Sequence, residues 1–206
     1  MRTQNKVAWF VFALLAIGVG LYPLLYFFVD SEVGFLSSKS EELLNSFFWN
    51  IGFYGHISFG GLSLLTGWSQ FSKRLRQKKL QLHRNLGKIY VLSAIISGIC
   101  GVYIGFNATG GMVSSLGFIS LGIIWLYTTG SAYRAIKKKD IGLHKGMMIY
   151  SYAACFAAVT LRLWLPILNI IFGEFLIAYK IVAWLCWVPN LLFAHYWVRK
   201  RGVTLG

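Results

Sequence analysis

QLHRNLGKIYVLSAIISGICGVYIGF, residues 81–106, decides the fold. A basic, polar start gives way to an uncharged run from Ile89 to Phe106. Counted from residue 86, such a run covers about 30 Å of hydrocarbon at ~1.5 Å per helical residue. About sixty residues later the start is nearly repeated as IGLHKGMMIY, residues 141–150, again where a basic loop meets an apolar run. Both copies read Leu-His followed by a cation, with a Tyr seven residues after the His in the first copy and six in the second.

Working outward, runs of this kind recur along the chain. Mean hydropathy is +0.62. Hydrophobic residues make up 57% and charged residues 13%, against roughly 25% charged in a soluble domain. We read one all-α, polytopic domain over residues 1–206 with six transmembrane helices, at about 7–29, 47–71, 86–106, 112–135, 145–167 and 175–198. Arg2 and Lys6 precede the first run, which is too long for a signal-peptide core and has no small-x-small site after it, so it counts as a helix. The spans leave no room for a soluble domain.

The net charge of +14 reports topology. Lys and Arg cluster in KRLRQKK (73–79), RAIKKK (134–139), RKR (199–201) and at the N-terminus; with Arg84, Lys88 and Lys145 these hold 17 of the 20. The alternate loops, 30–42, 106–111 and 168–174, hold five of the six acids, and Asp140 is the exception. That alternation is the positive-inside pattern, with both termini cytoplasmic. It implies anionic lipid at the cytoplasmic face, and it excludes nucleic acid as the reason for the charge. Cys100, Cys155 and Cys186 fall inside spans and read as small apolar packers.

Helical periodicity sorts the faces. Gly52, His56, Gly60, Ser63 and Gly67 form one stripe, and His83, Tyr90, Ala94, Gly101 and Gly105 another. Such stripes bring helices, or a second copy of the chain, into close contact, and they equally make room for a flat ligand. Trp125, Tyr150, Tyr152, Trp164, Trp184, Trp187 and Trp197 lie mostly near span ends and read as interfacial belts. Pro23, Pro166 and Pro189 are expected to kink or end helices. The repeat suggests that spans three-four and five-six are parallel pairs.

Ionisable groups within a bilayer are costly, so each is a functional hypothesis. His83, His144 and His195 stand at the inner level, and His56 and Arg162 at the outer one. His144 and Arg162 differ by 18 residues, five turns, and so share a face with Met148, Ser151, Cys155 and Val159. A b-type haem needs two imidazoles at one depth on different helices, with cations for its propionates. His83 and His144 meet the depth condition, and Arg84, Lys88 and Lys145 are the candidate propionate partners. Zinc is the rival, held by His83, His144 and His195 with one position open. The plain alternative is that these His residues cap helices and face headgroups. No HExxH occurs, so no catalytic step is assigned. His56 is placed either in the core or against a quinone or small reductant. Arg162 is expected to pair with Glu174, to bind an anion, or to snorkel outward.

SFGGLSLLTGWSQF (58–71), LHRNLGKIYVLSA (82–94) and LHKGMMIYSYAACFAAVTLRLWLP (143–166), with His56, resemble a bacterial family of predicted membrane proteins filed as domain of unknown function 2306. The resemblance runs from about residue 50 to 167 and includes Gln70, His83, Arg84, Gly87, His144 and Arg162. That resemblance implies the inner membrane of a bacterium as the location, and no activity. More distantly the chain is similar to b561-type membrane cytochromes, six-helix proteins that pass electrons between two haems. Their cytoplasmic-side haem is held from the third and fifth helices, where His83 and His144 stand. Their other haem is held from the second and fourth, and here the fourth span has no His. The function expected is therefore redox, with one haem between His83 and His144. The alternatives are a transporter or membrane chaperone with His56, Gln70 and Arg162 along a polar path, and a structural subunit.

Overall fold

A computed structural model of the chain describes residues 3–28, 36 and 38–200. The charges expected of Arg2, Asp30, Glu32 and Arg201 lie outside the described residues. Helix α1 (Thr3–Leu21) runs into a 3-10 turn, Tyr22–Phe27, that holds Pro23. The short α2 (Glu41–Leu44) precedes α3 (Phe47–Gly67), and a second 3-10 turn, Trp68–Phe71, leads to the basic α4 (Lys73–Lys78). Then follow α5 (Leu80–Gly105), α6 (Met112–Lys137), α7 (Ile141–Cys155), α8 (Ala157–Phe172), α9 (Phe175–Leu185) and α10 (Val188–Lys200).

Helix starts follow local chemistry. Ser46, Ser72 and Asp140 each accept a backbone N–H three residues on, capping α3, α4 and α7. Asp140, the exceptional acid of the basic loops, is thus a cap. Gly173 at φ +66 closes α8 in the left-handed region.

Among the described residues, five helical stretches are long and apolar enough to cross a membrane: Lys6–Tyr26, Leu80–Gly105, Met112–Lys137, Ile141–Phe172 and Phe175–Lys200. The segment expected as the second span is helical over 21 residues in α3. Asn50, His56, Ser58, Ser63, Thr66 and five glycines interrupt its apolar run. The surface is turned inside out relative to a soluble protein. Phe10, Leu92, Ile170 and Phe193 are 61–83% exposed, whereas Ser63, Ser97, Ser114, Thr129 and Ser151 are fully buried. Apolar flanks around a small-residue, polar interior are what a lipid environment selects.

The α3–α5 contact is the most extensive, and the glycine stripes explain it. A Cβ on Gly67 would lie within 3 Å of the Tyr152 and Tyr90 rings, and one on Gly101 within 3 Å of the His56 ring. Both stripes therefore serve close helix approach.

Three expectations need correction. The fifth and sixth spans are not continuous helices: one breaks at Phe156, the other at Cys186–Trp187. Pro166 sits inside α8 without ending it, and Pro189 occupies the first turn of α10, where a missing N–H costs little. Finally Trp125, Tyr152 and Trp187 are core residues at 3–7% exposure rather than belt residues. Tyr152 donates to the Leu64 carbonyl at 3.2 Å, and Trp187 to that of Ala183 at 2.8 Å, so interior partners satisfy their polar atoms.

Candidate functional site

The α3–α5 stripes and the broken helices enclose a cavity of about 410 Å³. Gly60, Gly61, Gly98, Gly101 and Gly122 form its thin walls, with Trp49, Phe53, Trp125 and Tyr179 as aromatic sides. Ala154, Cys155, Ala157 and Cys186 also line it, so both helix breaks lie at its edge. Its size falls in the range of small-molecule sites, roughly 300–1,000 Å³.

Two of the expected polar residues face this space together, His56 and Arg162. His56 Nδ1 is 2.9 Å from the Ser97 carbonyl, and Ser97 Oγ donates back to the His56 carbonyl at 2.8 Å. A carbonyl only accepts, so the proton is assigned to Nδ1 and Nε2 is left as an acceptor. Among the described residues nothing bonds Nε2.

Arg162 donates to the Ala158 carbonyl at 2.9 Å, and its guanidinium lies over the Tyr22 ring at 4.6 Å. No ion pair to Glu174 forms among the described residues. Glu174 directly precedes α9, and Arg162 lies ten residues before the end of α8, ~15 Å along the axis. One of the five guanidinium N–H groups is spoken for within the described residues.

The cavity adjoins a polar cleft at the same end of the bundle. Lys39 and Ala108 line both, and Ser38, Ser40, Glu42, Asn107 and Thr109 complete the cleft. Lys39 Nζ donates to the Asn107 carbonyl at 2.7 Å, and burial pushes its ammonium down to about 8. Sequence reasoning placed Lys39 in an outer loop and gave it no role. Its basic character in an otherwise acidic loop was the one available signal.

Gln70 does not join His56 and Arg162. It is buried in the turn after α3, takes a bond from Arg76 on its carbonyl at 3.1 Å, and has its side-chain oxygen beside Gly87 on α5. That places it at the opposite, basic end. There His144 Nδ1 lies 2.9 Å from the Ala132 carbonyl of α6, which leaves Nε2 available. His83 stands within electrostatic range of His144, Arg76 and Arg84, and its Nδ1 is buried with no partner among the described residues. Arg84, Lys88 and Lys145 are exposed. His195 bonds the Tyr150 hydroxyl at 2.8 Å. Among the described residues no three His, Cys, Asp or Glu side chains gather as a metal-holding group, so the zinc arrangement of His83, His144 and His195 is not assembled.

Two polar nodes were not foreseen. Tyr90, Ser151 and Thr129 join α5, α6 and α7 through two buried hydroxyl contacts of 2.7 Å, with the Trp125 indole donating to Tyr90. Asn190 Nδ2 reaches the Ala153 and Cys186 carbonyls and Thr160 Oγ1 at 3.0–3.3 Å. It stitches the two helix breaks together.

A family model described as "Predicted membrane protein (DUF2306)" matches residues 53–198. The match extends beyond the expected 50–167 to take in α9 and α10. No curated protein and no solved structure matches the chain.

Proposed function

We propose that this chain, which belongs to the DUF2306 family of predicted membrane proteins, holds an amphipathic small molecule inside its helix bundle as a membrane carrier or binding protein. The observation that carries the reading is the cavity itself: about 410 Å³, apolar on most sides, with His56 and Arg162 turned to it. An apolar lining with a few placed polar groups is the usual make-up of a ligand site. The helix breaks at its edge add support, since discontinuous spans recur where transporters bind their substrates. His56 Nε2 offers an acceptor, and Arg162 offers donors and charge. We further place α3 as a sixth span and the basic ends on the cytoplasmic side of a bacterial inner membrane, against anionic lipid.

Native mass spectrometry of the detergent-released protein, with dodecanol as probe, should show one adduct per chain. Ala158→Phe puts a ring into the cavity and should remove it. Failure of the wild type to take up any probe contradicts the reading.

A second reading keeps a haem between His83 and His144. It is favoured by the His144–Ala132 bond, the kind of anchoring that axial imidazoles carry. Arg84, Lys88 and Lys145 would hold its propionates, and the group would supply one-electron transfer at the basic end. His83 lacks the matching anchor, and neither His lines the cavity. A Soret band lost in His144→Ala supports this reading; a colourless preparation from haem-replete cells contradicts it.

A further inference from the structure

We infer that the ligand of the cavity is a single-tailed amphiphile with an anionic head, bound head-first to Arg162. This rests on the reading of the cavity as a ligand site and adds the head-group chemistry and the tail number.

Among the described residues, one charge inside the bundle has no counter-charge. Arg162 lies in a membrane-spanning stretch, lines the cavity and has no carboxylate partner among the described residues. A guanidinium held there is costly unless an anion or a strong dipole meets it. The described residues supply one carbonyl and the face of Tyr22, which orient the side chain but leave its charge. The planar fork suits a carboxylate or a phosphate monoester, both of which accept two parallel bonds.

The rest of the cavity sets the tail. Gly60, Gly98, Gly101 and Gly122 form a thin wall in a lining that is mostly apolar and also holds Trp125 and Leu121; the Trp49 indole N–H, buried without a partner among the described residues, is a further donor on it. About 410 Å³ takes one alkyl or isoprenoid tail and does not take the two tails of a phospholipid. The adjoining cleft shares Lys39 and Ala108 with the cavity, so an ammonium of the same sign as Arg162 stands on the cavity wall. Like-signed groups on one lining raise the local concentration of an anion.

The test uses four probes of one chain length, dodecanoate, dodecyl phosphate, dodecanol and dodecylamine, on the full chain in zwitterionic nanodiscs, read by native mass spectrometry after ejection. The expected result is that dodecanoate or dodecyl phosphate binds about tenfold or more tighter than dodecanol, and dodecylamine weakest. Arg162→Gln should bring acid and alcohol to within about twofold, with a wild-type helical circular-dichroism spectrum showing that the variant folds. Arg162→Lys should keep part of the preference. Which anion binds more tightly separates a carboxylate from a phosphate source. Equal binding of acid and alcohol by the wild type overturns the inference and leaves the cavity reading standing; no binding of any probe overturns both.

Discussion

Lys39 and Arg162 are the two cations placed away from the basic end that meet the cavity, and each has its own test. For Lys39, burial lowers the ammonium from 10.5 to about 8. Between those values the unfolded chain binds more protons than the folded one. The Lys39 contribution to stability therefore rises with pH through that window, and below it the buried charge is a cost. In thermal unfolding from pH 7 to 10, the Tm difference between wild type and Lys39→Met should move in favour of the wild type as pH rises. A difference that stays flat would show that Lys39 titrates as an ordinary surface lysine. The sequence marked Arg162 as out of place but suggested Glu174 as its partner. Axial distance decides against that pairing, and only the folded chain shows the Tyr22 ring beneath the guanidinium.

At the scale of elements, hydropathy and charge alternation made the long helices legible, because length in lipid and loop charge are one-dimensional properties. The glycine stripes were legible for the same reason, since periodicity fixes a face. Gly67→Ala drives a Cβ into the Tyr152 and Tyr90 rings, both nearly fully buried. It should cost about 1–3 kcal/mol, visible as a lower Tm in nanodiscs. Gly18→Ala meets nothing within 4 Å and should be neutral or stabilising by up to ~1 kcal/mol. Equal effects at both positions would mean that close approach is not what the stripe provides. The helix breaks were not legible. Prolines mark breaks in a sequence, yet the break at Phe156 lies ten residues before Pro166 and is stitched from α10 by Asn190. That stitch pairs residues up to 37 positions apart, and no local pattern announces it. The same break interrupts the helix expected to run unbroken from His144 to Arg162, while the two residues keep the opposite ends that their spacing implied.

For the whole molecule, the polar groups divide between two levels, as the spacing of His83, His144, His56 and Arg162 implied. What the sequence did not reveal was which level encloses space. A cavity is a property of five or six helices at once, created here by glycines on α3, α5 and α6 and by two interrupted helices. Its lining therefore includes Trp125, which reads as a belt residue along the chain, and Tyr179, to which the sequence reading gave no role. The most direct test of a ligand inside this bundle is photolabelling with a dodecyl probe carrying a diazirine at mid-tail, followed by peptide mass spectrometry. Label is expected on segments 49–61, 98–105 and 154–165, and it should be displaced by excess unlabelled probe and lost in Ala158→Phe. Label confined to lipid-facing residues such as Phe10, Ile170 and Phe193, without displacement, would contradict the account.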